Sequence, residues 1–251
     1  MIVLKSPREI ELLREAGRIA RRALDAARAL VRPGVTTDAI DAEVERVIRS
    51  HGATPEFKGY HGFPASSCIS INEQVVHGIP GKRKLKDGDV VGIDVGARLK
   101  GFVGDNAATV AVGEVSPAAK QLIETTRECL ELAIEQCRPG RRLSDIGRAV
   151  QGLAESRGFS LVRDYAGHGI GTRMHEDPQV PNYVDEVTLR RDMVLKEGLC
   201  IAIEPMLNQG GPEVRTLDDD WTVVTRDGSL SAHWEDSVAI TKDGPVVLTR
   251  A

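Results

Sequence analysis

The chain has 251 residues, of which 41% are hydrophobic and 28% charged, and its formal net charge is −4. This composition is typical of a globular protein, and the lack of a basic bias argues against a nucleic-acid binder. The first residues are charged and no apolar run is long enough to span a bilayer, so we expect neither a signal peptide nor a membrane segment. Four scattered cysteines without a CxxC pair indicate a reducing, cytoplasmic location.

Two helices are predicted at the start of the chain. Ser6 is a suitable N-cap, a proline follows it, and Glu9 completes a capping box. Apolar residues recur at helical spacing as far as Leu30, where a Pro-Gly pair ends the helix. A second helix is expected from about Thr36 to Gly52.

Residues 87–112 predict a β-hairpin that carries two acidic side chains. Apolar residues alternate with small or acidic ones from Val91 to Gly96, which is the pattern of a half-buried strand. Asp94 and Asp105 fall on facing arms of this hairpin. A carboxylate in an apolar strand needs a cation, a hydrogen-bond donor or a proton. On this stretch alone, two aspartates at strand ends or turns explain the pattern equally well.

The same order of elements recurs in the second half of the chain. Ser116 opens a helix as Ser6 does, and Arg-Pro-Gly follows the first helix of each half, at 32–34 and at 138–140. Each half is therefore expected to consist of two helices followed by an antiparallel hairpin.

This repeat defines the predicted fold class. We expect an α+β protein in which helices pack on one face of a curved antiparallel sheet with pseudo-twofold symmetry. Residues 1–251 would form a single catalytic domain with halves of approximately 1–112 and 113–251.

The repeat also groups four acidic residues. Its alignment places Asp94 on Glu204, and the arm with Asp105 on the segment with Glu235. Four clustered carboxylates repel one another strongly unless a metal is present. His168 lies between glycines that let the backbone approach such a site. This oxygen-rich set fits two divalent ions roughly 3.5–4 Å apart, and the residues alone leave peptide and phosphate substrates open.

Six stretches together resemble the type I methionine aminopeptidases. They are KSPREIELLREAGRIA, CISINEQVVHGIP, GDVVGIDVG through GFVGDNAAT, YAGHGIGTRMHEDPQVPNY, IAIEPMLN and SAHWEDSVAIT. The resemblance covers nearly the whole chain and implies the pita-bread fold. The short segment between His168 and Glu204 favours type I over type II, whose members carry an insertion in the second half.

The resemblance implies a dinuclear metal centre. Its ligands would be Asp94, Asp105, His168, Glu204 and Glu235, with Asp105 and Glu235 bridging two ions of Co, Mn, Fe, Zn or Ni. A metal-bridging hydroxide would attack the carbonyl of the first residue. Oxygen-rich ligands of this kind leave the identity of the metal undetermined.

The resemblance also assigns catalytic and substrate-binding residues. Glu204 would pass a proton to the leaving amine, His175 would donate to the developing oxyanion, and His77 would contact the scissile amide. The residues expected to bind the methionine side chain are Tyr60, His61, Phe63, Cys68, Met174 and Trp221. The alternative for the three large aromatic residues among them is ordinary core packing.

Two positions depart from the family pattern. Met174 stands where an aromatic residue often precedes the loop histidine, and Asp236-Ser237 follows Glu235 where His-Thr is common. The first bears on the shape of the pocket, and the second on the groups that support the Glu235 carboxylate.

The expected function is removal of the initiator methionine from nascent proteins whose second residue is small. The partners would be nascent N-termini at the ribosome, without direct nucleic-acid or membrane binding, and the chain is expected to be a monomer. The alternatives are a Xaa-Pro peptidase or prolidase, a creatinase-like enzyme, and a non-catalytic paralogue that binds ribosomes or RNA. The intact carboxylate set argues against the last two.

Overall fold

A computed structural model of the protein describes residues 2–250. Its helices are α1 Pro7–Leu30, α2 Thr37–Ser50, α3 Pro117–Glu135, α4 Leu143–Ser156 and α5 Glu186–Arg190, with a 3-10 turn at Tyr60–Gly62. The strands are β1 Thr54–Pro55, β2 Cys68–Ile71, β3 Gln74–Val76, β4 Val90–Leu99, β5 Phe102–Ala111, β6 Ser160–Leu161, β7 Gly167–Gly169, β8 Glu176–Val180, β9 Cys200–Ile203, β10 Met206–Asn208, β11 Val214–Thr216, β12 Val223–Thr225, β13 Ser231–His233, β14 Glu235–Thr241 and β15 Gly244–Val247.

One large antiparallel sheet forms the centre of the fold. Its strand order is β1-β4-β5-β14-β9-β7-β8, with β2 paired to β4 and β15 paired to β14. Two small sheets, β13-β10-β6 and β11-β12-β3, lie beside it. The α+β architecture with a curved antiparallel sheet, predicted from the repeat, is confirmed. No helix in residues 2–250 is long and apolar enough to cross a membrane.

The first helix forms and packs as its sequence indicates. Ser6 and Glu9 make both hydrogen bonds of a capping box, which satisfies exposed backbone groups at the helix start. The buried face of α1, which includes Leu13 and Leu24, packs against β4 and β5. Gly17 of α1 meets Gly104 of β5 so closely that a side chain on Gly104 would collide with the helix backbone. These two glycines bring the helix down onto the sheet.

The repeat predicted from the sequence is present, with one difference between its halves. In the first half, β4 and β5 form a continuous hairpin from Val90 to Ala111. In the second half, β9 and β14 also pair antiparallel, but residues 204–234 separate them and contain four short strands. The expectation of a second hairpin was therefore wrong in its connection. The intervening segment forms the two small sheets and carries Trp221 to the pocket described below.

Candidate active site

A row of side chains across three neighbouring strands forms the first part of the site. Asp94 on β4 and Glu235 on β14 both lie directly opposite Ala107 on β5. Asp105 precedes Ala107 by two residues and therefore lies on the same face of the sheet. Because Ala107 is small, the three carboxyl groups converge above it.

The second half of the chain adds two residues to this row. His168 on β7 pairs with Ala202 on β9, and Glu204 follows directly after β9. Nε2 of His168 lies 3.6 Å from Oε1 of Glu204. Ligand atoms of Asp105, His168 and Glu235 all lie within 4.8 Å of one another, and all three residues are buried. The five residues predicted to hold metal are thus brought together.

The chemistry of this cluster fits divalent metal ions. Asp94 Oδ1, Asp105 Oδ1 and Glu235 Oε1 are buried atoms without a hydrogen-bond partner. Burial raises the pKa of Asp94 to about 7. Burial and the charge of Asp94 raise the pKa values of Asp105, Glu204 and Glu235 well above the usual range. Carboxylates that repel one another and lack protein cations are the donors that a hard divalent ion requires.

The cluster opens into a cavity of about 120 Å³. Its lining combines the acidic residues with aromatic, sulfur-containing and imidazole side chains: Phe57, Tyr60, Phe63, Cys68, His77, Asp94, Asp105, His168, Met174, His175, Glu204, Trp221 and Glu235. An apolar cavity with a few convergent polar groups at one end is the usual form of a small-molecule site.

Three histidines form the polar edge of the cavity. Nδ1 of His175 lies 2.7 Å from the hydroxyl of Tyr60, and its ring centroid lies 4.4 Å from that of His168. Burial and neighbouring His61 lower the pKa of His175. Burial and the charge of His175 lower the pKa of His77 to about 4. These lowered pKa values favour the neutral imidazole at both His77 and His175.

Aromatic and sulfur-containing side chains form the apolar part of the cavity lining. The rings of Phe63 and Trp221 meet edge to face at 5.1 Å, while Cys68 and Met174 are only 5% exposed. Burial, followed by the charge of Asp94, raises the pKa of Cys68 well above its ordinary value, so its sulfur is a protonated thiol. Aromatic edges and sulfur atoms form a suitable environment for a thioether side chain.

Most of the predicted site residues line this cavity, and one does not. His61 is exposed, and its ring packs edge-on against Tyr60 at 4.4 Å instead of facing the cavity. Its backbone has a φ of 47°, which is in the left-handed region. His61 therefore supports Tyr60 from outside.

Two residues at the site were missed from the sequence. Phe57 lines the cavity, and Gly96 makes room for it, since a Cβ there would lie 2.5 Å from the Phe57 ring. His233 is buried, and its Nε2 lies 3.8 Å from Oε2 of Glu204. The three-residue spacing of aromatics at 57, 60 and 63, and the two-residue spacing of His233 from Glu235, were the available signals.

The unusual Asp236-Ser237 pair has well-defined partners. The Asp236 carboxylate accepts hydrogen bonds from the Thr249 hydroxyl at 2.7 Å and from Arg250 at 2.6 Å. Arg250 also contacts Glu131 of α3 at 2.7 Å. The Ser237 hydroxyl accepts from the backbone N–H of Asp105 and donates to its carbonyl oxygen. The two residues after Glu235 therefore anchor strand β14, Asp236 to the C-terminal segment and Ser237 to the backbone of Asp105 on β5.

Comparison with known proteins shows the family of this chain. The sequence model of metallopeptidase family M24 matches residues 11–242. The methionine aminopeptidase of Clostridium perfringens is 51% identical over 249 residues, which cover 99% of each chain.

Solved structures of methionine aminopeptidases and prolidases share the fold of this chain. A crystal structure of methionine aminopeptidase from Thermotoga maritima is 44% identical, covers 100% of both chains and has a TM-score of 0.96. The prolidase of Pyrococcus furiosus has a TM-score of 0.78 at 26% identity, and the match covers 66% of that longer chain. The pita-bread expectation is confirmed, and M24 membership implies the use of divalent metal. The chain belongs to metallopeptidase family M24, among its methionine aminopeptidases.

Proposed function

We propose that this protein removes the N-terminal methionine from peptides and nascent proteins whose second residue is small. The observation that carries the proposal is the junction of two environments in one cavity. A cluster of four carboxylates and one imidazole lines the cavity together with aromatic and sulfur-containing side chains. A free N-terminal residue with a thioether side chain matches both sets of groups.

The proposed metal centre contains two ions. Its ligands are Asp94, Asp105, His168, Glu204 and Glu235, and the donor set is compatible with Co, Mn, Fe, Zn or Ni. Divalent ions held by these residues would supply Lewis-acid chemistry, through polarisation of the scissile carbonyl and a lowered pKa of water. Two ions are favoured over one because four carboxylates exceed the charge that a single divalent ion neutralises.

Glu204 is proposed to carry the proton from the attacking water to the leaving amine. Its side chain is 14% exposed and contacts the cavity. Its carboxylate can therefore exchange a proton with a water or an amine inside the cavity. His168 and His233 flank its two oxygens at 3.6 Å and 3.8 Å.

His175 and His77 are proposed to bind the reacting amide. The Tyr60 hydroxyl lies 2.7 Å from Nδ1 of His175. We assign the hydroxyl as the donor of this hydrogen bond, so that Nε2 carries the proton and can donate to the developing oxyanion. His77 is held between Tyr165 and Trp221, with ring centroids at 5.7 Å and 6.3 Å. That position favours a contact with the scissile amide.

Specificity for methionine is assigned to the apolar part of the cavity lining. Its walls are formed by Tyr60, Phe63, Cys68, Met174 and Trp221, together with Phe57. Fixed aromatic walls limit the length and branching of the side chain that enters, and sulfur contacts favour a thioether over a hydrocarbon.

The proposed setting is the cytoplasm, where nascent N-termini leave the ribosome, and the proposed state is a monomer. Four buried free cysteines agree with a reducing compartment. The net charge of −4 gives no support to direct RNA binding.

A substrate panel tests the proposal against the prolidase alternative. The peptides are Met-Ala-Ser, Met-Pro-Ser, N-acetyl-Met-Ala-Ser and Leu-Pro, each incubated with the metal-loaded protein. We expect methionine from the first two and no product from the blocked peptide or from Leu-Pro. Preferential cleavage of Leu-Pro would assign the chain to the Xaa-Pro peptidases instead. A monomeric mass in light scattering is expected in the same preparation.

A further inference from the structure

A buried ion pair lies behind the loop that carries His175. Nζ of Lys5 lies 2.6 Å from Oε2 of Glu176, and the two side chains are only 4% and 6% exposed. Lys5 belongs to the segment before α1, whereas Glu176 directly follows His175 and begins β8. The pair therefore joins the start of the chain to the edge of the cavity, across 171 positions of sequence.

Lys5 is fixed at both its backbone and its side chain. Its backbone N–H donates to the carbonyl of Gly198 at 2.7 Å, and Nζ donates to the carbonyl of Val3 at 3.1 Å. The loop itself packs on the pair at Gly171. A Cβ at Gly171 would lie 2.5 Å from Oε1 of Glu176 and 2.6 Å from Cε of Lys5.

Glu176 transmits this anchoring to the His175 loop. Its second oxygen, Oε1, accepts the backbone N–H of Arg173 at 3.2 Å, which closes the loop just before His175. Burial opposes ionisation of Glu176, but hydrogen bonds from Lys5 and Arg173 and the charge of Lys5 hold its pKa below the usual value. At its start, the loop is tied by the Ile170 amide to the carbonyl of Cys200 at 3.0 Å.

Stability alone is a weak reason for such a pair. Removing two charges from water costs much of what their attraction returns, and apolar replacements of buried pairs are often neutral or stabilising. What the pair provides is a fixed geometry for the loop between Ile170 and Glu176. His175 lies in that loop, and its ring must remain 2.7 Å from the Tyr60 hydroxyl to present Nε2 to the cavity.

We propose that Lys5 is a positioning residue of the reaction, acting through Glu176 to hold His175 against Tyr60. The inference rests on the aminopeptidase function proposed above and deepens it. Because His175 is assigned to the developing oxyanion and not to the ground-state peptide, loss of the pair reduces kcat and leaves KM nearly unchanged.

The experiment compares neutral variants of the pair with a matched exposed pair. Lys5→Met, Glu176→Gln and the double variant are assayed for kcat and KM on Met-Ala-Ser, with thermal unfolding recorded for each. Lys100→Met and Glu15→Gln are the controls, since Lys100 and Glu15 also lie 2.6 Å apart but are 60% and 36% exposed. We expect a kcat loss of about tenfold in the single variants with KM within about twofold, and no loss in the controls.

A double-mutant cycle separates positioning from general destabilisation. In a His175→Ala background, Lys5→Met is expected to cause no further loss of kcat, because the group on which it acts is absent. An equal loss in that background, or full kcat in the folded Lys5→Met/Glu176→Gln variant, overturns the proposal. If the single variants do not fold, the neutral double variant decides, and its failure to fold would make the pair purely structural. A parent enzyme that releases no methionine would instead reject the proposed function.

Discussion

The hydroxyl of Tyr60 lies 2.7 Å from Nδ1 of His175, although 115 positions of sequence separate the two residues. This hydrogen bond fixes the orientation of the imidazole, and with the hydroxyl as donor it places the proton on Nε2. Tyr60→Phe is expected to lower kcat on Met-Ala-Ser about tenfold, the value of one well-oriented hydrogen bond, with little change in KM. Tyr165→Phe is the control, since Tyr165 contacts His77 through its ring. Equal effects of the two substitutions would contradict this role of Tyr60.

The pH dependence of stability should reveal the metal cluster. Burial raises the folded-state pKa of Asp94 from 3.8 to about 7. The chelator-treated native state therefore holds more protons than the unfolded chain between these values. The contribution of this carboxyl group to stability should therefore be most favourable below about pH 4 and fall as the pH rises to 7, by a few kcal/mol in total.

Thermal unfolding at pH 5 and pH 7.5, with and without Mn²⁺, measures this effect. Mn²⁺ should restore the stability lost at pH 7.5, because bound cations neutralise the carboxylates. Asp94→Asn should flatten the decline in the chelator-treated protein. A chelator-treated protein that is equally stable at both pH values would show that ionisation of the buried carboxyl groups does not destabilise the fold.

The network around Asp236 should stabilise the strand that carries Glu235. Arg250→Met leaves the 6% exposed Asp236 carboxylate without its cation. Because the Arg250 side chain is itself 35% exposed, the expected cost is about 2 kcal/mol, below that of a fully buried pair. Denaturant unfolding measures it. Arg190→Met, in a pair whose side chains are 78% and 92% exposed, is the control and should cost much less.

Phe57 should contribute to methionine binding although it was not predicted from the sequence. Phe57→Ala removes one wall of the cavity, so KM for Met-Ala-Ser should rise about tenfold while kcat changes little. Phe102→Ala is matched to it, since Phe102 belongs to the same apolar cluster but does not line the cavity. A change of KM in the Phe102 variant but not in the Phe57 variant would contradict the contribution of Phe57 to methionine binding.

The repeated parts of this fold were predictable because they depend on local patterns. Ser6 and Ser116 cap corresponding helices, and alternation around Asp94 predicted the first hairpin. The division into one domain with two halves stays a prediction. The long connection between β9 and β14 was not predicted because strand pairing across residues 204–234 depends on tertiary contacts, which no local pattern encodes.

The site was less evenly predictable. Four carboxylates at related positions of the repeat repel one another, which predicted a metal site with His168 as a further ligand. Ligand atoms of Asp105, His168 and Glu235 do lie close together. His61 adopts a left-handed backbone conformation, which is uncommon for a residue other than glycine and is not evident from the local sequence. Its exposed position was therefore not predicted. Phe57 was not predicted because the spacing of aromatic residues at 57, 60 and 63 does not itself show which of them line the cavity.

The most direct measurement is methionine release from Met-Ala-Ser by chelator-treated protein titrated with Mn²⁺ or Co²⁺. The proposed function predicts no release without metal and recovery on titration, with calorimetry giving two ions per chain. Asp94→Asn should bind fewer ions and lose turnover by orders of magnitude. Release that is insensitive to the chelator, or absent after either metal is added, would contradict the assignment of the buried carboxylate cluster as the catalytic centre.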